Sequence, residues 1–331
     1  MQQNGVPFTI GPGPWPTRDP FLFCVYHQDQ YPKGTAELGP NPVFLEDRPI
    51  GQDFNPALPW RMYHGQTIPG FPYHPHCGFE TVTIVKTGFC DHADSLGAAG
   101  RFGQGDVQWM TAGSGVQHSE MFPLLNQEAE NLLELFQIWL NLPAKSKQAP
   151  PHFKMLWHEK IPKIESNGTL VRLISGSNGA ADALDAPPNS WANDPDHGVR
   201  IWDIVMEAGA KWGFEAGNHP QGSVFLYDGA KALVNGKELT NSQGIHFECG
   251  KALTIKAETE VRILLLQAKP IGEPVVQQGP FVTNTPEEMR KAFENYRLTQ
   301  FGGWPWRHAD PVHESTEGRF ALYPDGHKET P

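Results

Sequence analysis

The sequence has no excess of basic residues and no long apolar run. Its 26 Lys and Arg residues are outnumbered by 37 Asp and Glu residues, which gives a formal net charge of −11, whereas nucleic-acid-binding proteins carry basic surfaces. No apolar run approaches the roughly 20 residues that a membrane-spanning helix needs, and the first residues lack the basic and apolar regions of a signal peptide. We therefore expect a cytoplasmic protein that binds neither nucleic acid directly nor a membrane.

Cysteine is also scarce. The chain of 331 residues has four cysteines and no CxxC motif, so a disulfide framework is not indicated. The spacing of Cys24, Cys77, Cys90 and Cys249 is irregular. We expect these residues to be free thiols in a reducing compartment.

Glycine and proline, in contrast, are abundant. The 34 glycines and 31 prolines are spread along the chain, which is typical of many short strands joined by turns. A first group of strand-length runs includes Phe21–Tyr26, Glu80–Thr87, Val107–Thr111 and Leu132–Leu142. A second group consists of Val171–Ile174, Ile201–Val205, Ser223–Tyr227, Gly244–Phe247 and Val261–Leu266. This regular spacing predicts an all-β protein with two sandwich or barrel units.

Shifts in composition divide the chain into five segments. Pro and Gly dominate the first residues, Pro, Lys and Ser cluster near the middle, and the last residues are polar. We expect an N-terminal arm at 1–19, a first β unit at 20–143, a linker at 144–168, a second β unit with a helix at 169–307, and a C-terminal tail at 308–331.

One short helix is predicted near the C-terminus. Thr285 is a suitable N-cap, Pro286 can occupy the first helical position, and Glu288 can complete a capping box. An apolar stripe at helical spacing follows, formed by Met289, Ala292, Phe293 and Tyr296. We expect this stripe to pack against a barrel.

Two pairs of metal-binding residue types lie about forty residues apart. His74, His76 and Glu80 have the same parity, so an extended chain would place all three on one face. His118 and Glu120 form a second pair with a spacing of two. Neighbouring strands would bring the pairs together as a site for Fe, Ni, Cu, Mn or Zn. From spacing alone Glu80 could be a further ligand, a base, a residue that orients an imidazole, or a surface carboxylate.

The run HPHCGFETVTIV, followed by GDVQWMTAGSGVQHSEM, resembles the signature of the pirin family in the cupin superfamily. The run GEPVVQQGPFVTNTPEEMRKAFENYRLTQFGGWPW is similar to the C-terminal part of that family, and the resemblance covers roughly residues 20–307. It implies a bicupin fold, in which two antiparallel β-barrels (double-stranded β-helices) stack face to face.

The resemblance also implies one divalent metal ion, usually iron, in the N-terminal barrel at 20–143. Its implied ligands are His74, His76, His118 and Glu120. In the C-terminal barrel, at 169–307, the residues aligned with His74, His76 and Glu80 are Glu215, Gly217 and Gln221. We therefore expect that barrel to lack a metal, and we interpret the nearby His219 as a turn residue.

The resemblance implies a possible enzymatic activity. Some pirin-like proteins are similar to quercetin 2,3-dioxygenases, which open a flavonol ring with O2 and release carbon monoxide. In such an enzyme Glu120 or Glu80 would accept the proton of the 3-hydroxyl group. A small aromatic substrate would occupy an apolar pocket near Phe79, Trp109 and Met110, although these three residues fit a barrel core equally well.

Two alternatives to that enzyme stay open. Pirin-like proteins also resemble redox-sensitive regulators that bind a protein partner, either a transcription factor or a metabolic enzyme, and the metal would then be a switch. The third hypothesis is a metal-binding cupin that acts on another small molecule. Loops and pocket volume would decide among the three, and the sequence does not define them.

Overall fold

The computed structural model describes residues 4–215, 217, 221–248 and 252–331, so that His219 and Cys249 lie outside the described residues. The chain divides into two compact units. Unit I comprises the described residues of Tyr26–Gln137, Ala144–Glu159 and Glu273–Pro331, and unit II comprises those of Met1–Val25, Ile138–Pro143 and Lys160–Gly272.

Strands dominate the described residues, which contain one α-helix. The strands are β1 (Pro7–Thr9), β2 (Phe21–Tyr31), β3 (Gly70–His76), β4 (Phe79–Thr87), β5 (Phe89–Asp94), β6 (Ala99–Gly103), β7 (Val107–Thr111), β8 (Val116–Met121), β9 (Asn131–Asn141), β10 (His152–Leu156), β11 (Lys163–Ser166), β12 (Thr169–Ser175), β13 (Arg200–Met206), β14 (Lys211–Phe214), β15 (Gln221–Asp228), β16 (Lys231–Val234), β17 (Lys237–Thr240), β18 (Gln243–Glu248), β19 (Leu253–Ala257), β20 (Val261–Ala268), β21 (Val276–Gln278), β22 (Phe281–Thr283), β23 (Phe320–Leu322) and β24 (Lys328–Glu329). The α-helix is α1 (Pro286–Thr299), and short 3-10 helices occupy Pro42–Leu45, Ala144–Ser146, Trp191–Asn193, Pro195–His197 and Gln300–Gly302. The prediction of a mainly β fold with one short C-terminal helix is confirmed.

Two larger sheets of unit I share one interior, and β21 and β22 form a separate two-stranded sheet. The first sheet has the strand order β10-β7-β4-β9-β2, and the second has the order β24-β23-β6-β5-β8-β3. Only residues 26–31 of β2 and 131–137 of β9 belong to this unit. Buried side chains of both sheets meet in one cluster, which includes Val85 and Leu135 of the first sheet and Cys90 and Phe102 of the second. The alternation of side chains along each strand supplies these inward-facing residues.

Unit II also contains two sheets, and their shared interior is apolar. The larger sheet has the order β1-β18-β15-β20-β13-β12-β11, and the smaller has the order β14-β19-β16-β17. Trp202 and Val224 of the larger sheet join Val234 and Ile255 of the smaller sheet in one buried cluster. The predictions that this barrel lacks a metal and that the barrels stack face to face stay predictions.

The segments predicted as an arm, a linker and a tail all carry strands. In 1–19, β1 pairs with β18; in 144–168, β10 pairs with β7; and in 308–331, β23 pairs with β6. Each of these strands is short, and its partner is distant in the chain, so the local pattern does not reveal it. The segment 144–168 therefore has strands of its own, β10 and β11, and the division of the chain into five segments stays a prediction.

The predicted helix begins where its capping signals place it. The Thr285 side chain accepts a hydrogen bond from the Glu288 main chain, and the Glu288 side chain completes the capping box. The predicted stripe packs in a cluster with Cys77, Phe281 and Phe301. None of the helices in the described part of the chain is long and apolar enough to cross a membrane.

Candidate metal centre

The strands that carry the predicted ligands are neighbours in unit I. β3 pairs with β8 in antiparallel register, with His74 opposite His118 and His76 opposite Val116. Residues two apart on a strand face the same side. The pairing therefore aims His74, His76, His118 and Glu120 at one side of the sheet.

The three imidazoles converge there. One ligand nitrogen of each ring lies within 4.8 Å of the other two. The ring centroids are 4.7 Å apart for His74 and His76, 4.6 Å for His74 and His118, and 4.7 Å for His76 and His118. His76 and His118 are buried, whereas His74 is half-buried and marks the more open side of the cluster.

Burial keeps these imidazoles neutral at neutral pH. Desolvation lowers the pKa of His74 to about 4, and it lowers the pKa values of His76 and His118 well below the usual 6.5. His74 Nδ1 lies 2.9 Å from the Pro72 carbonyl oxygen, which can only accept a hydrogen bond, so Nδ1 carries the proton and Nε2 keeps its lone pair. A neutral imidazole nitrogen is the form that ligates a metal ion.

Glu120 is buried beside His118, and its carboxylate is held by two donors. Thr83 Oγ1 donates to Glu120 Oε1 at 2.9 Å, and Gln137 Nε2 donates to Glu120 Oε2 at 2.6 Å. Glu120 Oε2 lies 3.8 Å from His118 Nε2. Burial raises the pKa of the Glu120 carboxyl, while the hydrogen bonds from Thr83 and Gln137 oppose that shift.

The parity that grouped Glu80 with the histidines does not hold. Glu80 would face the same side as His74 and His76 only if one extended strand ran from 74 to 80. Instead, β3 ends at His76 and β4 begins at Phe79, with Gly78 at φ +84° between them. This turn resets the alternation of side chains, so the prediction from parity is wrong for Glu80.

The surroundings of Glu80 differ from those of Glu120. Thr83 of β4 contacts Glu120, and residues an odd number of positions away on the same strand face the other side of the sheet. Glu80 is buried on that other side and accepts a hydrogen bond from Thr111 Oγ1 at 2.7 Å. We therefore leave Glu80 out of the candidate centre.

Three residues near the centre were missed by the sequence analysis. Thr83 and Gln137 hold Glu120, but the sequence does not single them out, since β4 and β9 carry other polar residues such as Thr81 and Glu134. His92 is fully buried with its ring 5.4 Å from that of His118. No spacing in the sequence connects His92 with the predicted ligand pairs.

The residues considered for a substrate pocket are core residues. Phe79, Trp109 and Met110 are all 1% exposed or less. The Phe79 ring meets the His76 ring edge-on, at a centroid distance of 5.1 Å. Only Phe79 is thus shown in contact with the centre, and none of the three lines an open surface.

The C-terminal part of unit I supports the ligand strands from outside. Gln117, which precedes His118 on β8, donates from Nε2 to the Gln300 carbonyl oxygen at 2.7 Å and accepts a hydrogen bond from the Tyr296 hydroxyl at 3.0 Å. On β3, the Tyr73 main-chain N–H donates to the Ala309 carbonyl oxygen at 2.7 Å. Both ligand strands are thus fixed by residues far along the chain.

The donor set fits a divalent metal ion. Both ring nitrogens of His118 are buried without a hydrogen-bond partner among the described residues, an arrangement that is costly unless a ligand compensates for it. Three neutral imidazoles with a nearby carboxylate suit Fe, Ni, Cu, Mn or Zn. The same donors do not distinguish among these metals.

Two family models match the chain. The model described as Pirin matches residues 15–140, which include the candidate centre. The chain belongs to the pirin family. A second model of this family, the pirin C-terminal cupin domain, matches residues 201–302.

Individual relatives support the same family. A Pseudomonas aeruginosa protein named "Putative quercetin 2,3-dioxygenase" is 34% identical over 259 residues, which cover 75% of this chain and 87% of that protein. Human pirin is 31% identical over 264 residues, which cover 77% of this chain and 86% of that protein. A solved structure of a quercetin 2,3-dioxygenase from Acinetobacter baumannii has a TM-score of 0.70 at 27% identity, and the match covers 91% of this chain and 96% of that one. The pirin-family chain thus has a cupin-type fold.

Proposed function

We propose that this pirin-family protein is a metal-dependent dioxygenase that opens the ring of a flavonol such as quercetin with O2. The observation that carries the proposal is the convergence of three neutral imidazoles, His74, His76 and His118, within 4.8 Å of one another. The names of two relatives support the substrate class. A small planar aromatic molecule is the expected substrate.

Within this proposal, one divalent metal ion is held by His74, His76, His118 and Glu120. Iron is our first candidate, followed by Ni, Cu, Mn and Zn. The bound ion would supply a Lewis acid and a template for the substrate and O2. We expect the substrate on the side of the half-buried His74, because the other two imidazoles are enclosed.

The residues of the chain have separate tasks. A Glu120 carboxylate oxygen accepts the proton of the flavonol 3-hydroxyl group, while Thr83 and Gln137 hold the carboxylate in place at 2.9 and 2.6 Å. The ring of Phe79 packs on His76 and helps to exclude water from the enclosed side. Water exclusion strengthens the electrostatic interactions inside the site.

Anaerobic metal loading tests the activity. Separate samples are loaded with Fe, Ni, Cu or Mn, mixed with quercetin and exposed to air, and both flavonol absorbance and carbon monoxide are measured. We expect turnover with at least one metal, and its loss in His76→Ala. The control is His327→Ala, which changes an exposed histidine. Absence of turnover with all four metals would refute the proposed reaction.

Metal stoichiometry tests the ligand set independently. Elemental analysis should give one ion per chain for the wild type and none for the double variant His118→Ala with Glu120→Ala. Two ions per chain, or full retention of the ion in the double variant, would contradict a single centre built from these residues.

A further inference from the structure

A second histidine-containing group lies on the inner face of unit I. His27, Asp29 and Tyr31 alternate along β2, and Asp29 and Tyr31 are buried while His27 is half-buried. The segment before β3 brings Arg61 and Tyr63 to these residues. Neither the metal centre nor the proposed proton transfer uses this group.

The group is a continuous chain of hydrogen bonds. Arg61 Nε donates to Asp29 Oδ1 at 2.8 Å, and the Tyr63 hydroxyl donates to Asp29 Oδ2 at 2.7 Å. His27 Nδ1 lies 2.7 Å from the same hydroxyl oxygen. The main-chain N–H of Arg61 adds a further bond to Asp29 Oδ1 at 3.0 Å. The side chains of Asp29 and Tyr63 are therefore fixed.

This chain of bonds determines which nitrogen of His27 carries a proton. The Asp29 carboxylate is paired with the Arg61 guanidinium, and a carboxylate can only accept. The single proton of Tyr63 is thus used for Asp29, so His27 Nδ1 must be the donor to the Tyr63 oxygen. Burial and the charge of Arg61 lower the pKa of His27 to about 3. The imidazole is therefore neutral, and Nε2 keeps a lone pair.

Aromatic rings connect His27 with the metal centre. The His27 ring lies 6.2 Å from the Phe71 ring, and the Phe71 ring lies 6.3 Å from the ring of His74. Tyr63 stacks on Phe71 at 5.1 Å. Phe71 and His74 are both half-buried. This aromatic path therefore begins at the more open side of the three imidazoles.

The backbone of Tyr63 gives a second reason to connect this group with function. Tyr63 has φ +57°, a left-handed conformation that a bulky residue rarely adopts. Such strain is costly and is concentrated at functional sites. Holding a tyrosine there places its hydroxyl between Asp29 and His27.

We propose that His27 is a substrate-binding residue whose Nε2 accepts a hydrogen bond from a hydroxyl group of a polyhydroxylated planar aromatic substrate, with the face of Phe71 as a contact surface. Tyr63 and Asp29 are positioning residues that fix the tautomer of His27. The substrate class rests on the proposed dioxygenase function. The tautomer and the hydrogen bond are specific to this inference.

The tautomer is tested first, by nitrogen NMR of histidine-labelled protein loaded with Zn, which is diamagnetic. We expect the His27 signals to show a protonated Nδ1 and an unprotonated Nε2. Tyr63→Phe removes the acceptor for Nδ1 and should abolish this fixed pattern, with the metal content unchanged. A protonated Nε2 in the wild type would overturn the proposal.

Substrate binding is tested next, without oxygen and on the Zn-loaded protein. The probes are quercetin and 3-hydroxyflavone, which keeps the 3-hydroxyl group but lacks the other four. Losing one hydrogen bond weakens binding by roughly twofold to tenfold. We expect His27→Phe to weaken quercetin binding by this factor and to leave 3-hydroxyflavone binding unchanged. His152→Phe, which changes a histidine of β10, is the matched control.

Three results would overturn the inference: no change with quercetin, an equal loss with both probes, or no binding of either probe to the wild type. If His27→Phe fails to fold, Tyr63→Phe takes its place in the same comparison and should weaken quercetin selectively. A selective loss without turnover by any metal would refute the dioxygenase and support the role of His27. Normal turnover with no selective loss of quercetin binding would support the dioxygenase and refute the role of His27.

Discussion

Arg101 joins the C-terminal segment to the β5–β6 hairpin, and its replacement should have a large effect. The side chain is fully buried and uses all of its donors. Nε and Nη2 donate to the two oxygens of Asp91, each at 2.7 Å. Nη1 and Nη2 also donate to the carbonyl oxygens of His313, Glu314 and Glu317, each at 2.8 Å. Arg101→Met keeps most of the volume and removes every one of these bonds.

The expected magnitude follows from the charge that is left behind. Asp91 is fully buried, and removing one partner of a buried ion pair costs about 3–5 kcal/mol. The three carbonyl groups can turn to water once the segment detaches, so they add little to this value. Adding Asp91→Leu removes the unpaired charge and should recover much of the lost stability, although the C-terminal segment stays detached.

Urea denaturation followed by tryptophan fluorescence measures the free energy of unfolding, and limited proteolysis measures detachment of residues 313–331. The control is Arg290→Met, because Arg290 is 74% exposed on α1 and its loss should change stability by less than about 0.5 kcal/mol. A loss below about 1 kcal/mol for Arg101→Met, or an intact C-terminal segment under protease, would refute this reasoning.

Metal removal, acidification and a glycine substitution have expected outcomes as well. Chelation should lower the melting temperature of the metal-loaded protein, and His118→Ala should abolish that difference. Burial lowers the pKa of His246 from 6.5 to about 4, so the unfolded chain binds this proton at a higher pH than the folded chain does. The free energy of unfolding should therefore decrease as the pH falls from 6.5 to about 4. Urea denaturation at several pH values should show a smaller decrease for His246→Asn. Gly78 (φ +84°) and Gly97 (φ +88°) have similar positive φ angles. A Cβ at Gly78 would lie 1.9 Å from the Val282 carbonyl oxygen, whereas a Cβ at Gly97 would meet no atom within 4 Å. Gly78→Ala should therefore melt at a much lower temperature than Gly97→Ala, and equal melting temperatures would contradict this argument.

Local patterns were sufficient for the regular strands and the helix. The run Glu80–Thr87 is rich in β-branched residues and lies within β4, and Val107–Thr111 coincides with β7. At the helix, the signals at Thr285 and Glu288 define a capping box that the structure contains. In each case the decisive interactions lie within a few residues, so the sequence displays them directly.

Features set by distant partners could not be predicted in this way. Phe320 and Ala321 are buried and pair with Arg101 and Gly100, more than two hundred residues earlier, and the polar residues around them suggested a surface tail. The error for Glu80 has a related origin. One glycine turn between two strands reversed the face of the following residues, and parity counting assumes that no such turn intervenes. The predicted cytoplasmic location and metal identity stay predictions.

The candidate centre combines two requirements that oppose each other. Burial lowers the pKa values of the imidazoles and makes neutral donors available at neutral pH, so a metal does not have to displace protons from them. The same burial removes hydration from these polar rings, which costs stability until a ligand compensates. The hydrogen bonds of Gln117 and Tyr73 to the C-terminal part of unit I hold β8 and β3 in place. We infer that residues after α1 maintain the geometry of the imidazoles before the metal binds, and that detaching these residues should lower metal affinity without changing any ligand.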